Sequence, residues 1–305
     1  MTDRADAPKS VDQLIDGPLM ARLDALDVTS RKIFQGKVQG ERRSRRRGQS
    51  VEFADFRPYV AGDDLRFVDW NIYGRLDRLF LKLFLEEEDL SLVLAVDCSG
   101  SMDFGTPNKF DYARRVAMAL GYVGLVNHNR VSAFGFGGDG FHPLTGLRGR
   151  RRTRDLGQWL VDRTASGDAG FDEAMRTIAL GRQGRGVMVV LSDFLFRDGA
   201  EKGLRSVAGR GFDVYALQLI APEERDPGMH GLTGDLRFID CEDGAEVEMT
   251  ITSKALEVYG QATVAHATAL RDFCVRRGIV HVPVPTTTPV DELLLDYLRK
   301  RGLLR

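Results

Sequence analysis

Leu90-Ser91-Leu92-Val93-Leu94-Ala95-Val96-Asp97-Cys98-Ser99-Gly100-Ser101 is the stretch from which fold and chemistry are both read. The apolar run Leu90 to Val96 has the length of a buried strand, and such runs occur where helices cover both faces of a parallel sheet. What ends it is Asp-x-Ser-x-Ser, which puts one carboxylate and two hydroxyls on a turn at the strand's carboxyl end. Oxygen-only ligands suit a hard divalent cation, Mg²⁺ first, with Mn²⁺ and Ca²⁺ as alternatives. A Ser-rich turn that merely caps the following helix is the competing reading, so the surroundings of the motif decide.

Downstream, strand and helix patterns alternate. Helical periodicity over Lys109 to Val126 is followed by a strand at Arg130 to Phe136 and an extended partner at Phe141 to Leu144. Helices are expected at Thr153 to Val161, Phe171 to Leu180, Ala200 to Ala208 and Lys254 to Arg277, and strands at Gly186 to Asp193, Phe212 to Ile220 and Val280 to Val284. A last amphipathic helix is expected over Asp291 to Arg301. Leu236 to Thr252 reads as a hairpin turning at Glu242-Asp243-Gly244, an insertion near 235–252. This alternation predicts an α/β fold, a doubly wound and mostly parallel sheet with helices on both faces, over residues 90–305.

Upstream, Leu14, Ile15, Leu19, Leu23 and Leu26 recur at helical spacing, so residues 1–35 are expected to be an N-terminal helical segment. An Arg-rich turn, Glu41-Arg42-Arg43-Ser44-Arg45-Arg46-Arg47-Gly48, follows it. From Val51 to Phe84, aromatics at Phe53, Phe56, Tyr59, Phe67, Trp70, Tyr73, Phe80 and Phe84 are separated by Gly, Asp and Arg, which predicts a small, aromatic-anchored β module over 36–89.

With 305 residues and 43% hydrophobic content, the chain has material for about two domains and a sizeable core. A net charge of −1 argues against binding nucleic acid or membrane through bulk electrostatics. Cys98, Cys241 and Cys274 form no CxxC pair, which fits buried thiols in a reducing cytoplasm. Met1 to Ser10 carries no secretory pattern, and Leu90 to Val96 and Gly186 to Phe196 are too short to span a bilayer, so a cytoplasmic location without a membrane span is expected.

In a doubly wound sheet, ligands bind outside the carboxyl ends of strands where the strand order reverses. Asp97, Ser99 and Ser101 occupy one such end, and Asp193, closing Val187-Met188-Val189-Val190-Leu191-Ser192, occupies another. From Leu92 to about Val284 the chain resembles the von Willebrand factor A family, whose metal-ion-dependent adhesion site combines Asp-x-Ser-x-Ser with a Thr from a later loop and an Asp after a central strand. The resemblance implies Asp97, Ser99, Ser101 and Asp193 as metal ligands. Where it implies the Thr, Gly167-Asp168-Ala169-Gly170-Phe171 places Ala169, so Thr164, Asp168 or water would have to substitute.

A second resemblance covers Gly40 to Glu88. Arg46-Arg47-Gly48, Glu52-Phe53, Arg57-Pro58-Tyr59, Gly62-Asp63-Asp64-Leu65-Arg66, Asp69-Trp70 and Lys82, ahead of Asp97 to Met102, are similar to the signature of the DUF58 family. That family is associated with MoxR-type AAA+ ATPases, so the resemblance implies such an ATPase as partner, together with an unidentified client protein. Arg46, Arg47, Arg57, Asp63, Asp64, Arg66, Asp69 and Trp70 are the candidate partner-binding residues, although charges so close to aromatics also build paired scaffolds.

Other signals are weaker. Gly135-Phe136-Gly137-Gly138-Asp139-Gly140 contains GxGxxG but is followed by extended Phe141-His142-Pro143-Leu144, so it predicts a hairpin turn and not a dinucleotide site. His128, His142, His230, His266 and His281 show no zinc-ligand spacing. Arg42 to Arg47 with Arg148 to Arg154 is a basic pattern, but the acidic run Glu86 to Asp89 makes internal pairing the simpler expectation. The leading expectation is therefore a non-enzymatic, metal-dependent interaction protein of adaptor or chaperone type. A metal-dependent hydrolase ranks second, because no GxSxG, Walker A or Asp-x-Asp pattern accompanies the turn, and a nucleic-acid-binding protein ranks third.

Overall fold

The computed structural model describes residues 7–30, 52–85, 90–138, 140–181, 186–239 and 245–305. They divide into two compact units, one drawn from residues 1–35 and 90–305 and the other from 36–89.

The larger unit contains a six-stranded sheet. Its strands are β3 (Ser91–Asp97), β4 (Arg130–Phe136), β5 (His142–Leu147), β6 (Gly186–Ser192), β7 (Phe212–Ile220) and β10 (Val280–Pro285), in the order β10-β7-β6-β3-β4-β5. Only β5 runs antiparallel, as a hairpin partner of β4 at one edge. The chain moves outward from β3 through β4 to β5, then returns to the other side of β3 for β6. The order therefore reverses between β3 and β6, which pair in parallel from Ser91↔Gly186 to Val96↔Leu191. The doubly wound, mostly parallel sheet expected from the sequence is the sheet observed.

Both faces of this sheet are covered, which is why β3 and β6 are buried along their whole lengths. Alternate residues feed two cores. Leu92, Leu94, Val96, Val187, Val189 and Leu191 pack under helices Lys109–Val126 and Thr153–Val161. Val93, Ala95, Met188 and Val190 pack with Phe171, Met175 and Leu204 of helices Phe171–Leu180 and Glu201–Ala208, and with Leu270 and Phe273 of helix Ser253–Arg276. Close approach on the first face depends on Gly121, where a Cβ would lie 2.2 Å from the Leu156 side chain.

The N-terminal segment departs from the single helix its periodicity suggests. Helices Val11–Leu14 and Gly17–Leu23 are separated by extended Ile15, and Asp16 caps the second by accepting from Leu19 N at 2.8 Å. Asp16-Gly17-Pro18 explains the break: a cap residue followed by proline starts a new helix better than it continues one. Nor does the segment stand apart. Leu14, Ile15, Leu23, Leu26 and Val28 belong to the first core, and Thr29 N donates to Leu303 O at 2.9 Å, so this segment is part of the α/β unit.

The last helix is also altered. After Val290–Glu292 the turns widen to a π-helix over Leu293–Leu298, whose spacing of five places Leu293 and Leu298 on one buried face. The expected hairpin pairs β8 (Gly234–Ile239) with β9 (Glu246–Ile251) as a separate two-stranded sheet, and Cys241 and the turn at Glu242-Asp243-Gly244 lie outside the described residues.

The smaller unit pairs β1 (Glu52–Pro58) with β2 (Phe80–Leu85) around helix Trp70–Leu76. Asp69 caps that helix by accepting from Asn71 N and Ile72 N, and it also pairs with Lys82 at 3.0 Å.

Candidate functional site

The site is built on the last residue of β3. Asp97 is fully buried, and its Oδ1 accepts from Ser99 N at 2.9 Å, the local bond by which an aspartate folds the chain into a turn after a strand. A 3₁₀ turn, Gly100–Met102, follows and brings Ser99 Oγ within 3.1 Å of Ser101 Oγ. The motif thus places its hydroxyls side by side.

Two glycine-containing loops clamp this turn. Gly137, with φ +110, lies so close that a Cβ there would sit 2.7 Å from Ser99 N, so only glycine allows the loop after β4 to approach. The GxGxxG pattern is therefore a hairpin connection that packs on the motif, with Asp139 outside the described residues. From the other side, Gly100 N donates to Gly167 O at 2.8 Å and Ser166 N to Cys98 O at 2.9 Å. These bonds bring up the loop from which the third ligand was expected. Ala169 on that loop is buried in the second core, whereas Thr164 and Asp168 are exposed, and the Asp168 carboxylate accepts from Ala169 N at 2.6 Å.

The neighbouring strand end supplies the second carboxylate. Ser192 Oγ donates to Asp97 Oδ2 at 2.6 Å and so ties the ends of β6 and β3 together. Asp193 follows, 2% exposed, with Oδ1 accepting from Leu195 N at 3.0 Å. Phe194 takes a left-handed φ of 57° and buries its ring against Phe171 and Phe196, which fixes the turn that holds Asp193.

Lys109, the first residue of helix Lys109–Val126, was not anticipated as part of the site. Its side chain is 1% exposed, and Nζ lies 2.7 Å from Asp193 Oδ2 and is also paired with Glu224 of helix Pro222–Arg225. Burial disfavours the ammonium, but the charges of Asp193 and Glu224 outweigh it and hold its pKa above the ordinary lysine value. Burial raises the pKa of Glu224. Neither residue carries a sequence signal, because the partners are 84 and 115 positions apart.

Asp97 differs from Asp193. Its acceptors are satisfied by a hydroxyl and a backbone N–H, and among the described residues no ammonium or guanidinium pairs with it. Burial first, and then the charge of Asp193, raise its pKa well above the usual carboxylate range. A buried carboxylate without a cation, beside two hydroxyls, is a donor set that fits a hard divalent ion. No group of three or more His, Cys, Asp or Glu able to hold a metal is found among the described residues, so the candidate set depends on serine oxygens.

The described candidate partner-binding residues belong to the smaller unit. Arg57 makes a two-pronged pair with Asp63, both bonds 2.8 Å, and Arg66 pairs with Asp64 at 2.6 Å. With Asp69 capping and paired to Lys82, these charges brace the module, while Trp70 is 60% exposed beside Tyr73. Arg46 and Arg47 lie outside the described residues. In the other basic run, Arg150 bonds to Tyr122 Oη at 2.7 Å and Arg152 pairs with Asp155 at 2.7 Å. No helix among the described residues is long and apolar enough to cross a membrane.

The uncharacterized protein Rv1480 of Mycobacterium tuberculosis and the uncharacterized protein Mb1516 of Mycobacterium bovis are each 29% identical to the chain over 259 residues, covering 83% of this chain and 80% of theirs. Among solved structures, the chain is similar to the conserved hypothetical protein BatB from Bacteroides thetaiotaomicron (TM-score 0.43, 15% identity, 69% of this chain and 98% of that one). It is also similar to the SpRpn10 VWA domain (TM-score 0.40, 14% identity, 68% and 94%). A further similarity is to proximal thread matrix protein 1 from the mussel byssus, solved with a zinc-occupied MIDAS motif (TM-score 0.38, 10% identity, 70% and 47%). Residues 55–269 match the family described as "Protein of unknown function DUF58", and the chain belongs to that family.

Proposed function

We propose that this chain is a non-enzymatic interaction protein that docks a partner at the carboxyl end of its sheet through a divalent cation, Mg²⁺ by preference. The observation that carries this reading is the state of Asp97: a fully buried carboxylate beside Ser99 and Ser101, at the point where the strand order reverses, without a cationic partner among the described residues. Asp97, Ser99 and Ser101 would hold the ion. When bound, it supplies positive charge and open coordination positions that an acidic side chain of another protein can fill. The surrounding groups suit binding better than turnover, since the hydroxyls face each other and the Lys109 ammonium is engaged by two carboxylates.

The partner we propose is a MoxR-type AAA+ ATPase, with a client protein as a third component, acting in the cytoplasm. Support comes from the signature residues of the smaller unit and from exposed Trp70 at its surface. The test is retention of the ATPase from the same organism on immobilised chain, in Mg²⁺ and in chelator, with wild type and Asp97→Ala. Retention that requires both Mg²⁺ and Asp97 is expected. Equal retention in all four conditions sinks the metal bridge.

A further inference from the structure

Asp193 is the second carboxylate of the crevice, yet both of its oxygens are engaged, one by Lys109 Nζ at 2.7 Å and one by Leu195 N at 3.0 Å. The Lys109 side chain is as buried as that of Asp193, at 1% exposure, and its aliphatic stem is anchored in the first turn of a helix capped by Asn108. It does not depend on Asp193 alone. Glu224 shares it, and Glu224 is itself held by Ala221 N, which donates to its other oxygen at 2.9 Å. The end of the sheet therefore holds a cation-bearing half, Lys109 with Asp193 and Glu224, next to a half without one, Asp97 with Ser99 and Ser101.

We infer that Lys109 is a built-in counter-ion that withholds Asp193 from direct coordination, so that the divalent ion is held by Asp97, Ser99 and Ser101 and its affinity is set low. This rests on the reading of those three residues as a cation site. The physical argument is charge counting. A divalent ion's affinity follows the number of carboxylates in its shell, and an ammonium on one of them removes that contribution while it stays in place. Because Glu224 also holds it, Lys109 keeps a partner if Asp193 turns away, which makes Asp193 a reserve ligand and Lys109 the residue that governs its release.

The experiment titrates the full chain with Mn²⁺ and reads free Mn²⁺ by electron paramagnetic resonance. Asp193→Asn is expected to bind within roughly three-fold of wild type, since the carboxylate is not in the shell. Lys109→Met is expected to bind roughly ten-fold tighter, since one more carboxylate joins it, and Lys109→Met with Asp193→Asn should return to wild-type affinity. If Lys109→Met alone does not fold, Lys109→Met with Glu224→Gln removes one charge of each sign and should show the same gain. Loss of binding in Asp193→Asn, or no gain on removing Lys109, overturns the inference while leaving the cation site standing. Absence of Mn²⁺ binding in wild type and in the Lys109 variants overturns both.

Discussion

Replacing Asp97 with Asn should stabilise the protein in chelator, the reverse of what truncating a buried polar residue usually does. The carboxylate is fully buried, is opposed by the charge of Asp193, and has no cationic partner among the described residues. A buried charge left without compensation costs about 3–5 kcal/mol. Against that stand two hydrogen bonds, from Ser99 N and Ser192 Oγ, each about 1 kcal/mol stronger to a carboxylate than to an amide. The difference leaves Asp97→Asn about 2 kcal/mol more stable where Asp97 is ionised. For an α/β unit of this size that is a rise in midpoint of roughly 4–8 °C. The assay is thermal unfolding followed by circular dichroism at pH 8, in chelator and in saturating Mg²⁺. Wild type should gain stability from Mg²⁺ by mass action and close the gap, whereas the Asn variant should not respond. A variant less stable than wild type in chelator would refute the reasoning, because it would mean that the chain itself already stabilises the charge.

Three further outcomes are expected. Gly137→Ala, at φ +110 and with a Cβ 2.7 Å from Ser99 N, should cost about 2–4 kcal/mol in urea unfolding and weaken Mn²⁺ binding, because the Asp97 turn must shift to admit it. Trp70→Ala, at an exposed position, should change unfolding by less than about 0.5 kcal/mol yet reduce retention of the ATPase; unchanged retention removes Trp70 from the docking surface. His281, which bonds to Gln218 Oε1 at 3.0 Å, is lowered to about 4 by burial and then by the charges of Arg301, Arg271 and His266. The unfolded chain therefore takes up this proton first, so stability is full above pH 6.5 and falls as the pH drops from 6.5 toward 4. The whole interval is worth about 3 kcal/mol, and the ring's residual contact with solvent reduces the expected loss to about 1–2 kcal/mol. His281→Gln should flatten that part of the profile, and an unchanged slope would assign the loss to other groups.

The sheet was legible in the sequence because its strands are buried on both faces. Runs such as Leu90 to Val96 and Val187 to Leu191 leave little choice but a covered parallel strand, and each ends in the aspartate that a crevice at the strand ends needs. The break at Ile15 was also written there, in Asp16-Gly17-Pro18, but apolar spacing alone ran straight across it. Leu293 and Leu298 show the same limit, since a spacing of five belongs to a wider turn than the one that amphipathic patterns assume. Lys109 and Glu224 were out of reach for a different reason. A lysine opening a helix and a glutamate in Pro222-Glu223-Glu224-Arg225 look like solvated charges until the fold brings β6, β7 and the helix Lys109–Val126 to one end of the sheet.

The most direct measurement is isothermal titration of Mg²⁺ into the purified chain, wild type beside Asp97→Ala and Ser99→Ala. The account predicts one Mg²⁺ bound per wild-type chain, abolished by Asp97→Ala and weakened by Ser99→Ala. Binding that is equal in all three proteins, or absent from wild type, would contradict it.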